Sequence, residues 1–566
     1  MNAGQVRPVI FVAGLLLVVV SLSQVYLTTT RGRDYQGEYA YADTDELAYS
    51  AYVNALVNGR PRRNDPYTGN DQSPFETLFS IQFLPAYAMA WPARALHLSA
   101  STVFIALVPL VCIPSLLILF TFLFDLTGRP VLSAIGAGGV LVFAGFFGQV
   151  PWDLFAPHLA FPFLRRYMPA FGFPFFLAIP ACIWKALIRR SLVWIIAAGL
   201  NLIVLFYSYF FLWTAIVAWL LVLTIFWFAA MDSASRRWLA RAVAALMAIA
   251  AGGLIPYLLL VAHRSPGLGK LLDVTHRPDV FRGPEVYAAV VMGLALLIHR
   301  RNILSSEKKL LCISLLVAPF FIYNQQLLTG RALQPFHYDQ FVGNYWVLIA
   351  AVGLLGSAQQ YSRATRRFVG GLLAVLALTY GHLAAYGRLP RNIEADRGRA
   401  VALKLADRGA VFVSDEHLTN SLATSSPNPV LWARYMWVFS ATRENQKQRF
   451  YRYLYYANVD GEELRQRLAR ERSVERVEIF GGARANPVTT HAPTPITPAD
   501  IQAEVNNYMQ FCSTFGPMEA TTPTLSYAVL FADEPAINLD RWYERDAGER
   551  VGPYMLYRLQ LRTAQP

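Results

Sequence analysis

The chain has 566 residues, of which 55% are hydrophobic and only 15% charged, and its mean hydropathy is +0.33. Its apolar runs are long and continuous rather than alternating, which excludes an ordinary soluble enzyme and a β-barrel and leaves a polytopic α-helical membrane protein. The formal charge of +13 is a topology signal and not a nucleic-acid one, because nearly all of the excess lies in short loops between apolar spans.

The first span is 8–30, with Arg7 before it. The nearest small-x-small site, Ser21-Leu22-Ser23, is a poor cleavage signal, and more spans follow, so the segment reads as an uncleaved anchor. A polar and amphipathic segment, 31–100, comes next. Ten further spans are expected near 101–124, 130–148, 170–188, 192–208, 211–230, 239–262, 284–298, 309–323, 341–357 and 368–386, several of them shorter than the roughly 20 residues a bilayer asks for. With eleven spans and the N-terminus inside, Arg129, Lys185, Arg189, Arg190, Arg236, Arg237, Arg241, Arg300, Arg301, Lys308, Lys309, Arg363, Arg366 and Arg367 all fall in or beside loops on one side. The complementary loops, including 31–100, 149–169, 263–283 and 324–340, are mixed in charge and rich in Pro, Tyr, His and Trp. One-sided separation of this kind predicts that these loops, and everything after 387, lie outside.

From about 388 the apolar runs shrink to strand length, at 410–413, 474–480, 526–531 and 554–561, and helical periodicity appears at 400–408, 461–470 and 498–511. A membrane module, 1–387, followed by a soluble α/β domain, 388–566, on the outer face is therefore expected. Residues 486–498, rich in Pro and Thr, read as a loop. Cys112, Cys182 and Cys312 lie in spans and Cys512 in the tail, which offers neither a disulfide framework nor zinc-ligand spacing.

Three polar segments stand out as candidate sites. The first is Asp43-Thr44-Asp45-Glu46-Leu47-Ala48-Tyr49. Asp43 suits a helix cap and Glu46 the third position of a capping box, with Leu47, Ala51, Tyr52, Ala55 and Leu56 giving an amphipathic helix that ends at Gly59. That leaves Asp45 without a structural role, at the exposed start of a helix expected on the membrane surface. A carboxylate there suits a general base for an acceptor hydroxyl, and Asp43, Asp45 and Glu46 are the plausible ligands if a divalent cation takes part. The second segment, 323–346, holds Arg331, His337 and Tyr338. Its polar density between two spans suits either a phosphate site or an interfacial loop with a snorkelling Arg. The third, 152–174, contains Asp153, His158, Arg165 and Arg166. Two adjacent arginines outside break the positive-inside trend, and either an anionic headgroup or pairing with Asp153 or the acidic first loop accounts for them.

The long first external loop, the Asp45-Glu46 pair, Tyr49 three residues on, and Gly59 at the helix end together resemble the GT-C superfamily of integral membrane glycosyltransferases. The resemblance implies a polyprenyl-phosphate-linked sugar as donor and inverting transfer to a glycan or lipid hydroxyl on the periplasmic face of a bacterial inner membrane. It also implies Asp45 as the catalytic carboxylate. The substrate contacts would be drawn from Asp43, Glu46, Tyr49, His158, Arg165, Arg166, Arg331, His337 and Tyr338. One departure is local. The branch that transfers aminoarabinose follows with Lys-Pro-Pro, where this chain reads Asn70-Asp71-Gln72-Ser73-Pro74-Phe75. Residues 75–97 are expected to form an interfacial helix. A transporter or flippase for polyprenyl-linked glycans, or an envelope-assembly scaffold, is the competing class. The absence of internal repeats and of charge within the spans weighs against a transporter.

Overall fold

The computed structural model describes residues 3–147, 161–265, 273–279, 282–299, 305–358, 362–405, 407–439, 442–471, 473–485, 495–532, 534 and 538–562. Each expected span falls on a helix. After α1 (Ala3–Arg31) the first long loop carries α2 (Asp45–Val57) and α3 (Leu84–Ala95). Then come α4 (Ala100–Thr127), α5 (Pro130–Phe147), α6 (Phe173–Arg189), α7 (Leu192–Phe206), α8 (Phe210–Ala230), α9 (Ser233–Ala262), α10 (Gly283–His299), α11 (Ser306–Tyr323), α12 (Asn344–Ala358) and α13 (Arg363–Ala402). Six of these, α1, α4, α6, α8, α9 and α13, are long and apolar enough to cross a membrane, and α5, α7 and α10 are shorter apolar helices. Phe368, Val193 and Leu110 are about 70% exposed on the outside of the bundle, a surface that is stable against lipid and not against water.

Polar caps set where the spans begin. Ser99, Asp232, Ser305 and Ser362 each accept the N–H three residues on, at the starts of α4, α9, α11 and α13. The first and last helices are parallel. Arg7 and Arg366 line one groove at one end, and Arg31 Nε donates to Asp396 Oδ2 at 2.8 Å at the other. Because consecutive spans alternate in direction, that arrangement requires an odd number of crossings. Gly381 lets α1 and α13 touch, since a Cβ there would stand 3.0 Å from both Val19 and Leu22.

α13 has 40 residues, about 60 Å at 1.5 Å per residue, roughly twice the hydrocarbon thickness. Its tail therefore leaves the bundle, and the separate helix expected at 400–408 does not form: 400–402 are the last residues of this rod, which ends at Ala402. In the short loops, β1 (Asp273–Val274) pairs antiparallel with β2 (Arg331–Ala332). The C-terminal part holds β3 (Ala410–Val413), α14 (Glu416–Leu422), α15 (Arg443–Tyr456), α16 (Gly461–Ala469), α17 (Val474–Phe480), α18 (Pro498–Ser513), β4 (Leu525–Phe531), β5 (Tyr543–Arg545), β6 (Glu549–Val551) and β7 (Tyr554–Leu561). The sheet order is β3-β4-β7-β5 with β6 beside β7; β3 and β4 are parallel and the other pairs antiparallel. The expected strand at 474–480 is a helix. Ser473 caps it, and Val474, Val477 and Phe480 recur every three residues, a pattern that a seven-residue apolar run shares with a strand. Of the expected loop at 486–498, residues 486–494 lie outside the described residues.

Two further expectations change. α2 is not an amphipathic surface helix, because every residue from Glu46 to Leu56 is buried. Its second face is covered by the C-terminal part. Asn54 Nδ2 donates to the carbonyls of Ala423 and Ser426 at 3.1 and 3.3 Å, and the Phe439 ring lies 6.1 Å from that of Tyr52. Residues 75–97 are not one helix. A turn, Leu78–Ile81, ends at Gln82, and α3 restarts with Pro85 in its first turn. One apolar core runs from Val9 of α1 through the bundle to Tyr435, Phe439 and Tyr527. A second core, around Trp432, Phe450, Leu454 and Tyr508, belongs to the C-terminal part alone.

Candidate active site

The acidic cluster opens α2. Asp43 Oδ1 accepts the Asp45 N–H at 3.0 Å, and Glu46 Oε1 accepts the N–H groups of Asp43 and Ala42 at 3.0 and 2.7 Å. Of the capping box read from the sequence the Glu46 half is present, but the helix starts at Asp45 and not Thr44, and the Asp43 side chain bonds the Asp45 N–H and not that of Glu46. Asp45 itself makes no capping bond among the described residues.

The two adjacent arginines point in opposite directions from a turn. Tyr167, the next residue, has φ 75°, a conformation unfavourable for a non-glycine residue. It is fully buried, and its hydroxyl donates to Gln82 O at 3.0 Å. Arg165 Nε donates to Asp43 Oδ2 at 3.0 Å and Nη2 to Asp45 Oδ2 at 2.5 Å. Its Nη1 donates to Met168 O at 3.0 Å. The guanidinium lies between the rings of Tyr49 and Phe341, 5.5 and 5.8 Å from their centres. Arg166 turns inward. It meets Glu46 Oε2 at 3.3 Å and donates to the carbonyls of Phe104 and Ala40, both at 2.9 Å. Both arginines thus pair with the acidic first loop, one of the partners read for them.

Exposure separates the two pairs. The Glu46 and Arg166 side chains are 0% and 2% exposed, whereas those of Asp43 and Asp45 are 42% and 47% exposed, although Arg165 between them is at 7%. Asp45 therefore presents its second oxygen, Oδ1, on the exposed side of the cluster, while both Asp43 oxygens are already bonded and Glu46 and Arg166 are buried behind. Burial opposes ionisation of Asp43, but Arg165 and the Asp45 N–H bond outweigh it and hold the carboxyl below its ordinary value of 3.8. For Asp45, burial together with the Asp43 charge outweighs Arg165 and raises the carboxyl above 3.8. Burial also pushes the Glu46 carboxyl up to about 7, against Arg166 and its two N–H donors. Asp43 and Asp45 converge on one guanidinium while Glu46 turns away to another, so the three do not share a point. Among the described residues no three His, Cys, Asp or Glu side chains are grouped to hold a metal ion.

The second sequence segment reaches the same place. His337 Nδ1 lies 2.8 Å from the Tyr209 hydroxyl, and its Nε2 lies 2.9 Å from Gln334 Oε1. Burial and the Arg165 charge hold the imidazole well below its usual pKa of 6.5. A neutral ring with its proton on Nε2 satisfies both contacts: it donates to Gln334 and accepts the Tyr209 O–H. Tyr209 in turn accepts from Arg165 Nη1 at 3.4 Å. Tyr338 is buried beside it, its hydroxyl 2.8 Å from Thr214 Oγ1. Arg331 is exposed on β2 and stands outside this network. His158 and Asp153 lie outside the described residues.

A frame of charged residues fixes the loop that carries the cluster. Arg399 Nη1 reaches Glu38 Oε2 at 3.2 Å, and Asp396 accepts from Arg31 and from the N–H groups of Gln36 and Glu38. Reading the sequence missed these residues, and it missed Tyr209 and Phe341, for which no local signal exists. It also missed Arg388 and Arg434. Arg388 of α13 interacts electrostatically with Glu46 and Asp43. As an arginine beyond the outer end of the last span, it breaks the same charge bias that singled out Arg165 and Arg166. Arg434, exposed on the C-terminal part, acts on Asp45.

No family model matches the sequence, and no curated protein does. Solved structures do match over nearly the whole chain. ArnT from Cupriavidus metallidurans bound to undecaprenyl phosphate aligns at 12% identity and a TM-score of 0.46, covering 96% of this chain and 98% of that one. Its apo state aligns at 13% identity and 0.44, with the same coverage. The Archaeoglobus fulgidus oligosaccharyltransferase tethered to an acceptor peptide aligns at 10% identity and 0.45, covering 92% of this chain and 69% of that one. At these identities and scores no residue's role follows from the likeness.

Proposed function

We propose that the protein is an inverting glycosyltransferase that moves a sugar from a polyprenyl-phosphate donor to a hydroxyl of a cell-envelope glycan or lipid. One observation carries the reading: of three clustered carboxylates, only Asp45 combines half exposure and freedom from capping duty with a raised pKa, beside a partner whose pKa is lowered. Neighbouring titratable groups driven apart in this way mark an assignment of acid and base roles.

In this reading Asp45 accepts the proton of the acceptor hydroxyl as its oxygen attacks the anomeric carbon. The bond from that carbon to the phosphate oxygen breaks, its electron pair leaves with the polyprenyl phosphate, and the configuration inverts. Arg165 fixes the carboxylate on the line of attack. The exposed Arg331 and Arg434 are the cations available to the leaving phosphate, where charge develops. Arg165 and His337 lie behind Asp45, and Glu46, Tyr49, Arg166 and Tyr338 are buried. The 1–387 module embeds in a bacterial inner membrane with the N-terminus cytoplasmic, and 388–566 forms a periplasmic cap over the acidic cluster.

The test is a glycolipid and surface-glycan profile by mass spectrometry. A deletion strain would be complemented with wild type or with Asp45→Asn at matched membrane expression. Loss of one sugar mass from one acceptor in both the deletion and Asp45→Asn supports the enzyme and identifies its substrates. A normal profile with Asp45→Asn removes Asp45 as the base and favours a transporter or scaffold.

A further inference from the structure

A groove of about 760 Å³ opens between α1, α5 and α13 at the end of the bundle remote from the acidic cluster. From Arg7, at its mouth, to Arg31, beside the cluster, is 24 residues of helix, about 36 Å. The groove takes no part in the chemistry proposed above.

Three features define its chemistry. Its walls are apolar side chains and four glycines, Gly138, Gly139, Gly370 and Gly371. A Cβ on Gly371 would meet nothing within 4 Å, and one on Gly139 only the tip of Leu373, so these positions open the groove. Its polar lining is Arg7, Arg366 and Arg367, with no acidic residue, and among the described residues none of the three has a side-chain bond or ion pair. Its length is also informative. The lining on α13 runs from Arg366 to Ala377, about 16 Å of helix, which matches the roughly 15 Å hydrocarbon depth of one leaflet.

We propose that this groove is a binding site for an anionic phospholipid of the leaflet remote from the acidic cluster. One acyl chain lies along the glycines, and the phosphate is held by Arg7, Arg366 and Arg367. Arginine forks suit phosphate oxygens, and the cationic mouth is complementary to an anionic headgroup. The groove ends within one leaflet, so it fits an acyl chain and not a polyprenyl tail.

The experiment is native mass spectrometry of the purified full-length chain, titrated with phosphatidylglycerol or phosphatidylcholine after mild delipidation. Wild type is expected to retain one phosphatidylglycerol at least tenfold more tightly than phosphatidylcholine. The Arg7→Gln/Arg366→Gln/Arg367→Gln variant is expected to lose that preference. Gly371→Leu, which keeps all three arginines and adds a good helix former at an open position, is expected to lower occupancy by either lipid at least fivefold. Equal binding of the two lipids to wild type, or a phosphatidylglycerol preference that survives both variants, overturns the proposal. So does displacement of phosphatidylglycerol from this site by an equimolar polyprenyl phosphate. The readout is independent of glycosyl transfer, so failure here leaves the proposed function untouched, and failure there leaves this site untouched.

Discussion

Asp396 ties the end of α1, the first loop and the outer half of α13 together, and its removal is expected to loosen the loop by a measurable amount. Its side chain is fully buried, and that of its partner Arg31 is 14% exposed. Oδ2 accepts Arg31 Nε at 2.8 Å, and Oδ1 accepts the N–H of Gln36 at 2.9 Å and of Glu38 at 3.3 Å. Breaking a buried pair by removing one partner costs about 3–5 kcal/mol. Arg31 keeps a bond to Asp34 O at 2.9 Å and some solvent, which puts Asp396→Ala near the lower end, about 3 kcal/mol. Asp396→Asn keeps an oxygen for the two backbone donors but turns its NH2, a donor, toward Arg31 Nε and so loses that charge-assisted bond, about 1.5 kcal/mol on the scale of hydrogen bonds to charged groups. Hydrogen exchange of peptides covering 32–42 reads this directly, because two of the protecting bonds end on Asp396. At about 1.4 kcal/mol per decade, the Gln36 and Glu38 amides should exchange about 100-fold faster in Asp396→Ala and about tenfold faster in Asp396→Asn. Wild-type exchange in Asp396→Ala, or equal acceleration in the two variants, refutes the account of this junction.

Asp45→Asn is expected to lower the transfer rate about 10²- to 10⁴-fold, the range of a positioned general base, while exchange in α2 stays at wild-type level, because Asp45 makes no capping bond. In the proposed reaction Asp45 is the base and its carboxyl is raised in pKa, so the acid limb of the pH–rate profile should lie above 3.8. Arg165→Met removes a cation whose Nη2 stands 2.5 Å from the Asp45 carboxylate and holds its pKa down, so the limb should move up in pH; an unmoved limb in purified enzyme rules Asp45 out as the titrating base. Asp43, held below 3.8, binds its proton less tightly in the folded chain than in the unfolded one. Its contribution to stability is complete above the ordinary aspartate range and is lost as pH falls through the lowered value. Asp43→Asn should flatten acid unfolding, followed by circular dichroism, in that window.

The expectations met their limits at particular residues. The helices on which the expected spans fall were legible because lipid demands long apolar helices, and that demand is written in consecutive residues. The start of α2 was legible because a cap acts over three residues, as Asp43 and Glu46 show. The run 474–480 was not, because seven apolar and charged residues satisfy two periodicities and only packing against Trp432 and its neighbours selects one. Burial of α2 was not legible either. Its second face is covered by Asn54 bonds and a Phe439 contact whose partners lie more than 350 residues away in the chain.

Sequence alone thus determined what local chemistry and the membrane impose: a polytopic helical chain and an acidic cluster with a spare carboxylate at the start of a helix. Tertiary structure decided the pairings. That Arg165 grips Asp43 and Asp45 on the exposed side while Arg166 closes on buried Glu46 depends on a turn at Tyr167 and on partners 120 residues apart in the chain. Charge attraction acts through space and leaves no periodicity in a sequence. Two neighbouring arginines and two neighbouring acids therefore read alike until the fold places one pair against solvent and buries the other.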